Sequence, residues 1–338
     1  MIKQALGQLL EGRDLSQEDA RGVMNTIMSG EATPAQIGGF LVALRLKGET
    51  ADEIAGCAEA MREHVLRIRP RRDDLVDTAG TGGGPSTFNV STTAALVAAG
   101  AGCAIAKHGN RSNTSRCGSA DLLEALGVNI DLGPEQVARC IEEIGFGFMF
   151  APRHHVAMAH VVPVRKELGV RTIFNFLGPL TNPAGAERQL LGVSDSHYQE
   201  TIAEALVGLG SVRAMVVAAE DGLDELSISA RTRVIEVVDG GTTEWFVEPG
   251  ELGLEEAELE DVAGGTPAEN AAASRAVLEG EAGSRRDLVL LNAGAAIYVG
   301  GVAADLGEGV SKAAAAIDSG AARQVLERLI ATTAELAD

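Results

Sequence analysis

The first 67 residues place apolar side chains at helical spacing, and the boundaries of these stretches carry signals for helix starts and ends. Thr50 is followed by Glu53 in the pattern of a capping box, and Thr33-Pro34 sets a capping hydroxyl before a proline at the first helical position. Gly48 stands where helix ends favour glycine. The pattern predicts four short helices that form a compact unit.

Beyond the polar segment 69–74 the period changes, and strand-like stretches alternate with helical ones. The strand-like stretches cover residues 75–78, 103–107, 147–150, 190–193 and 214–218. The tail from Thr266 is helical again. Such alternation predicts a parallel sheet covered by helices.

The predicted fold class is therefore α/β. We expect a small all-helical N-terminal domain over residues 1–68, joined by part of 160–185. A large α/β domain over 69–338 would hold a central, mostly parallel sheet flanked by helices.

The charge of the chain restricts its partners. Its 338 residues include 28 Lys+Arg and 48 Asp+Glu, a formal net charge of −20 at pH 7. This charge opposes binding to nucleic-acid backbones and anionic membranes, so a phosphate site would need a local group of cations and amides. The four cysteines form no CxxC pair, and the longest apolar run, 94–106, is shorter than the roughly 20 residues that span a bilayer. We expect a cytoplasmic protein without nucleic-acid or membrane partners.

The segment GTGGGPSTFNVST, residues 80–92, follows the first predicted strand and precedes a helix. Glycines let backbone N–H groups approach an anion, and the positive end of the next helix points to the same place. Ser91 and Thr92 add hydroxyls. The segment predicts a phosphate cradle, although from the glycines alone an ordinary turn capped by Asn89 or Ser91 is an equally good interpretation. It lacks the Lys-Ser/Thr of a Walker motif.

The segment KHGNRSNTSRCGSAD, residues 107–121, is a cationic loop at the end of another predicted strand. Lys107 and Arg111 supply charge, and Asn110, Ser115 and Ser119 supply hydrogen bonds. Because open α/β sheets bind ligands at the carboxyl ends of their strands, we expect an anion site here. A solvated polar loop is the alternative.

Residues 162–185 combine cations with residues that would form an apolar slot for an aromatic ring. Arg165 and Arg171 are candidates for holding a carboxylate, and Gly178-Pro179 with nearby phenylalanines would shape the slot. The histidines that precede this segment do not repeat at i, i+4, so a helical metal pair is not expected.

Asp224 and Glu225 are adjacent just after an apolar strand. Paired carboxylates beside a phosphate cradle suit Mg²⁺, which keeps several waters and substrate phosphates as ligands. In so acidic a chain, a solvated acidic turn is the alternative.

In this order and spacing, the four segments resemble the anthranilate phosphoribosyltransferases, a family of tryptophan biosynthesis with a nucleoside phosphorylase/phosphoribosyltransferase-like fold. The similarity covers nearly the whole chain, and KHGNR followed by GSAD is its most specific part. The resemblance implies transfer of the phosphoribosyl group of 5-phosphoribosyl 1-pyrophosphate (PRPP) to the amine of anthranilate, with release of pyrophosphate. It also implies a homodimer that uses Mg²⁺, two ions per active site.

The resemblance also implies roles for individual residues. PRPP would be bound by Gly80, Gly83, Gly84, Thr87, Asn89, Val90, Ser91, Thr92, Lys107, Ser115 and Ser119. Anthranilate would be bound by Gly80, His108, Asn110, His155, Arg165, Gly178 and Pro179. Ser91, Asp224 and Glu225 would hold magnesium. No covalent nucleophile is required because the amine is itself nucleophilic, so Lys107 and Arg165 would act by charge and positioning.

The chain departs from the family pattern at the glycine-rich loop. Gly84-Pro85 stands where the family usually has Asp-Gly, so one carboxylate near the sugar or metal is missing. Thr114 and Cys117 stand where serines are common.

Two alternatives remain: a pyrimidine nucleoside phosphorylase of the same fold, and a non-catalytic relative that binds nucleic acid. The arrangement of residues 107–121 differs from the Lys, Ser and Arg pattern of the former. The net charge and the retained Asp224, Glu225 and Arg165 argue against the latter.

Overall fold

The computed structural model describes residues 1–112 and 115–336, so Thr114 lies outside the described residues. Its centre is a seven-stranded sheet with the order β3-β2-β1-β4-β5-β6-β7. The strands are β1 Leu75–Gly80, β2 Ala104–Gly109, β3 Phe146–Phe150, β4 Arg188–Gly192, β5 Arg213–Ala219, β6 Thr232–Val238 and β7 Gly241–Val247. Strands β1 to β5 pair in parallel, and β6 and β7 are antiparallel. The predicted α/β class with a mostly parallel sheet is confirmed.

Four helices precede the sheet, as the sequence predicts. They are α1 Ile2–Leu10, α2 Gln17–Met28, α3 Pro34–Lys47 and α4 Ala51–Glu63. Capping boxes at Thr33 and Thr50 begin α3 and α4. In each, the threonine hydroxyl accepts from the backbone amide at N3, and the N3 side chain accepts from the backbone amide of the threonine. Gly48 ends α3 with a φ of 93°.

The other helices lie between the strands and in the tail. They are α5 Val90–Gly100, α6 Ser119–Ala125, α7 Pro134–Ile144, α8 Ala151–His154, α9 Val162–Leu168, α10 Phe174–Leu180, α11 Gln199–Gly208, α12 Pro267–Leu278, α13 Ser284–Val299, α14 Leu306–Asp318 and α15 Ala321–Glu335. Within the described chain, no helix is long and apolar enough to span a membrane.

The hairpin β6–β7 is absent from the sequence prediction. Its turn is Asp239-Gly240, with φ values of 51° and 73°. This pair is the usual composition of a two-residue hairpin turn, since both positions need positive φ. The signal was therefore present in the sequence.

The sheet separates two hydrophobic cores. Along β5, Met215 and Val217 face one core, while Ala214 and Val216 face the other, as strand alternation requires. The first core holds α5 to α7 and the tail helices. The second joins α1 to α4 with residues 161–180 and α11. A division of the chain at residues 68–69 stays a prediction.

The sheet topology creates one crevice. From β1 the chain proceeds outward to β2 and β3, whereas from β4 it proceeds in the opposite direction to β5. Strands β1 and β4 are neighbours, with Gly80 opposite Gly192 at their carboxyl ends. Such a switch point is where open α/β sheets bind ligands.

Candidate active site

The glycine-rich loop connects β1 to α5 across the crevice. A Cβ on Gly80 would lie 2.4 Å from Oδ2 of Asp224, and one on Gly84 would lie 2.3 Å from the carbonyl oxygen of Gly222. The loop therefore rests directly on residues 222–224. In this loop conformation a side chain at position 84 would collide with backbone.

Asn89 sets the direction of α5. It has a left-handed backbone, with a φ of 68°, which is uncommon outside glycine. Its side-chain amide donates to the carbonyl of Cys117 at 3.0 Å and accepts from Asn270 at 2.8 Å. Both polar ends of Asn89 are thus used within the protein, so it holds the first turn of α5, with Val90, in place.

Lys107 is buried beside this turn, with 2% of its surface exposed. Its Nζ donates to the carbonyl of Thr78, lies 3.2 Å from the Thr78 hydroxyl and reaches the Ser91 hydroxyl at 3.5 Å. Burial lowers the pKa of Lys107 to about 8, and the negative charges of Asp77 and Glu225 oppose that change. The cation is therefore held at the loop by polar contacts that offset its desolvation.

Asp224 and Glu225 face the same loop. Asp224 accepts from the amide of Gly82 at 2.8 Å, and Glu225 accepts from the hydroxyl of Thr87 at 3.1 Å. Burial raises the pKa of both carboxyls, and the charge of Asp224 raises that of Glu225 further. Two crowded carboxylates gain from a nearby divalent cation.

The donor atoms fit magnesium. The carboxylates of Asp224 and Glu225 and the hydroxyl of Ser91 are hard oxygen ligands at one loop. Thr92, in the same helical turn, has a buried hydroxyl with no hydrogen-bond partner in the described structure. Among the residues described, no group of three or more His, Cys, Asp or Glu side chains could hold a metal ion. Phosphate and water oxygens would have to complete the coordination.

The second predicted loop is attached to the first through the Asn89–Cys117 bond. Ser115 bonds the hydroxyl of Ser112 at 2.6 Å, and Ser119 donates to the carbonyl of Asn110 at 3.2 Å. Arg111, expected to supply charge to a ligand, instead forms ion pairs with two carboxylates of α6, Asp121 and Glu124. Of the two cations predicted to supply charge, Arg111 is therefore neutralised by α6, which leaves Lys107.

Two histidines, whose rings are tilted by 41° to each other, border the other half of the crevice. The rings of His108 and His155 lie 4.9 Å apart. Burial lowers the pKa of His108 to about 3 and that of His155 to about 4, so both are neutral at pH 7. Nδ1 of His108 lies 3.1 Å from the carbonyl of Gly178, which can only accept, so this nitrogen carries the hydrogen. Its Nε2 is then an acceptor, and it has no partner among the described residues.

Gly178 and Pro179 lie at the end of α10. A Cβ on Gly178 would meet no atom within 4 Å, so the chain borders open space there. The carbonyl of Pro179 accepts from the buried Gln189 at 2.7 Å, which fixes the segment to β4.

Arg165 lies half-buried on α9. Its guanidinium is 5.4 Å from the centre of the Phe174 ring, and in the described part of the chain this group forms neither a hydrogen bond nor an ion pair. Burial alone lowers its pKa. A guanidinium that lacks an anion beside an aromatic ring fits the carboxylate of an aromatic acid. Arg171, expected to share this carboxylate, instead contacts the glycine-rich loop at Gly82.

Asp77 is a site residue that the sequence analysis missed. Its carboxylate accepts from the amide of His108 at 3.1 Å and from the side chain of Asn182 at 2.7 Å. Asn182 also donates to the carbonyl of Ala106 at 2.8 Å. Asp77 thus joins β1, β2 and the segment after α10, beneath both halves of the crevice. The sequence signal was an acidic residue inside an apolar strand.

Comparisons with known proteins agree with this geometry. The model of the "Glycosyl transferase family, a/b domain" matches residues 72–323, and that of the "Glycosyl transferase family, helical bundle domain" matches residues 3–65. The anthranilate phosphoribosyltransferase of Thioalkalivibrio sulfidiphilus is 54% identical over 334 residues, which cover 98% of this chain and 99% of that protein.

Solved structures give the same result. The crystal structure of anthranilate phosphoribosyltransferase from Thermus thermophilus is 50% identical, with a TM-score of 0.93 over 97% of this chain and 99% of that one. The Saccharomyces cerevisiae enzyme in complex with PRPP and Mg is 32% identical, with a TM-score of 0.90 over 99% and 98% of the two chains. The resemblance inferred from the four segments is confirmed.

Asp77 should give the fold a specific pH dependence. Burial raises the pKa of this carboxyl from 3.8 to about 6, so between about pH 4 and 6 the folded state keeps a proton that the unfolded chain has lost. Wild type should therefore lose stability relative to Asp77→Asn as pH rises, by about 2 kcal/mol between pH 4.5 and 7. Urea unfolding followed by the fluorescence of the single tryptophan measures this difference.

The matched control is Asp73→Asn, an exposed position four residues earlier. An unfolding difference between wild type and Asp77→Asn that is the same at both pH values would contradict the assignment.

Proposed function

The chain belongs to the anthranilate phosphoribosyltransferase family, and from this premise we propose how it transfers the phosphoribosyl group of PRPP to the amine of anthranilate. The products are N-(5-phosphoribosyl)anthranilate and pyrophosphate. The reaction is a step of tryptophan biosynthesis. One observation carries the proposal: the glycine-rich loop forms an anion cradle, while Arg165, half-buried on α9 against Phe174, has no anionic partner among the described residues. The two halves meet at the consecutive residues Lys107 and His108 of β2.

The donor would lie on the glycine-rich loop. Its phosphates would contact the loop glycines, the first turn of α5 and Lys107, where backbone amides and one buried cation oppose negative charge. The remaining loop contacts would come from the residues named for PRPP above: Gly80, Gly83, Gly84, Thr87, Asn89, Val90, Ser91, Thr92, Ser115 and Ser119. Asn89 would act by fixing the loop, since its own amide is already bonded.

Ser91, Asp224 and Glu225 would hold Mg²⁺, at two ions per active site. When bound, the metal neutralises the diphosphate that leaves from the anomeric carbon. Burial raises the pKa of both Asp224 and Glu225, and the charge of Asp224 raises that of Glu225 further, so the pair favours a bound cation.

Anthranilate would lie with its carboxylate on Arg165 and its ring along the neutral side of the crevice. Gly80, His108, Asn110, His155, Gly178 and Pro179 would surround it. The amine attacks the anomeric carbon directly, so the protein contributes position and charge, and no covalent nucleophile. The Nε2 atom of neutral His108 is an acceptor for an N–H donor.

The units of the chain would have separate roles in this scheme. Residues 1–68, with part of 160–185, would carry Arg165 on the helical side. Residues 69–338 would bind PRPP. The alternatives, a pyrimidine nucleoside phosphorylase and a nucleic-acid-binding relative, are not favoured by the comparisons.

A homodimer would use the free ends of α1 and α3. Lys47, the last residue of α3, forms an ion pair at 2.6 Å with Asp14, in the connection between α1 and α2. Leu10 and Leu46 are 78% and 82% exposed there. Leucines this exposed at one end of a helical unit favour docking of a second copy.

Purified protein mixed with anthranilate, PRPP and Mg²⁺ should consume anthranilate and release pyrophosphate in equal amounts. Loss of anthranilate fluorescence and a coupled pyrophosphate assay measure the two. A parallel reaction with thymidine and phosphate is expected to give no thymine. Phosphorolysis of thymidine without loss of anthranilate would contradict the proposal.

Arg165→Ala should raise the KM for anthranilate by about 10- to 100-fold, because a charged hydrogen bond to the carboxylate is lost. The KM for PRPP should change by less than about threefold. Lys166→Ala, at the exposed next residue, is the matched control and should leave both constants unchanged. Equal increases in both constants for Arg165→Ala would refute the role of Arg165.

Leu46→Glu should convert dimers into monomers, because it sets a charge into the apolar contact. Light scattering coupled to size-exclusion chromatography gives the mass at several concentrations. Val212→Glu, at an exposed position before β5, is the control and should stay dimeric. A dimer that is equally stable in Leu46→Glu would place the contact elsewhere.

A further inference from the structure

Arg171 lies in the connection between α9 and α10 and contacts the glycine-rich loop. Its Nη2 donates to the carbonyl of Gly82 at 3.2 Å. A Cβ on Gly83 would lie 2.1 Å from Nη1, and Gly83 has a φ of 98°, so only glycine permits this approach. The guanidinium therefore rests on the backbone of the loop.

The charge of Arg171 is not neutralised by a direct partner. Among the described residues it forms no ion pair, and its one side-chain hydrogen bond goes to an uncharged carbonyl. Asp224 is near enough for the guanidinium to oppose the rise of its pKa, but Asp224 itself accepts from the amide of Gly82. Gly84-Pro85 adds no carboxylate from the loop. Arg171 thus places a positive charge without an ion-pair partner, among the described residues, beside the glycine-rich loop.

The carbonyl of Gly82 does not depend on Arg171. The hydroxyl of Ser194 donates to the same oxygen at 2.7 Å. If the guanidinium turned toward another acceptor, that carbonyl would keep a donor. The contact is therefore exchangeable without leaving a polar group unpaired.

We propose that Arg171 is a further binding residue for the diphosphate of PRPP. When the diphosphate binds, Arg171 exchanges its hydrogen bond to the Gly82 carbonyl for hydrogen bonds to phosphate oxygens. The planar guanidinium donates to two oxygens of one phosphate, which a lysine cannot do in a fixed geometry. Arg171 belongs to the segment that packs with α1 to α4, so it approaches the loop from the helical side. The inference rests on the proposed function for the identity of its ligand.

The test uses pyrophosphate with Mg²⁺ as the probe and titration calorimetry on the full chain. Arg171→Ala should weaken pyrophosphate binding about 10-fold, and Arg171→Lys should lie between it and wild type. Lys166→Ala removes the same charge nearby and should bind within about twofold of wild type. In steady state, Arg171→Ala should raise the KM for PRPP about 10-fold and that for anthranilate less than twofold.

Equal pyrophosphate affinity in wild type and Arg171→Ala would overturn the inference, even if activity fell, because the residue would then only support the loop. Lack of pyrophosphate binding by wild type would overturn it as well. Melting temperatures show whether each variant is folded, and Arg171→Lys provides the comparison if Arg171→Ala is not. A wild type that binds pyrophosphate but never consumes anthranilate would contradict the proposed function alone.

Discussion

The burial of Lys107 is the constraint on which the crevice depends. A lysine with 2% exposure stays charged only if neighbouring groups compensate the lost hydration. Here the compensation comes from Thr78, from the charge of Asp77 and from the charge of Glu225. These groups lie on β1 and after β5, so the cation requires the sheet to be assembled before its charge is tolerated. The anion cradle is therefore a property of the folded sheet and not of its loop alone.

The ends of β1 and β2 also connect the two halves of the site. Asp77 holds the backbone of His108 and, through Asn182, the segment that contains Gly178. Lys107 and His108 are consecutive, so the buried cation and the neutral ring share one strand end. Proximity catalysis needs this rigidity, because the amine and the anomeric carbon must meet at a defined distance.

In the glycine-rich loop, packing limits which residue can stand at position 84, where the family's usual carboxylate is missing. At position 84 the family usually has aspartate, and this chain has glycine. The carbonyl of Gly222 occupies the space that a Cβ would need. The loop thus approaches the acidic pair closely, and at Gly82 it also contacts the guanidinium of Arg171. A glycine-rich loop that has no carboxylate at position 84 and a guanidinium beside it carries more positive charge than the same loop with aspartate at that position.

The sequence by itself determined the helical start, the five parallel strands and the family, because capping at Thr33 and Thr50, hydrophobic period and the KHGNR segment are local signals. It also contained the Asp239-Gly240 turn, which the strand prediction did not include. Only the tertiary structure decided which cations are paired within the protein. Arg111 is neutralised by α6, Arg165 has no anionic partner among the described residues, and Arg171 lies on the glycine-rich loop. The local sequence pattern specifies a helix or strand and its residues. The ion pairing and desolvation of a charged side chain depend on the groups that the fold places beside it.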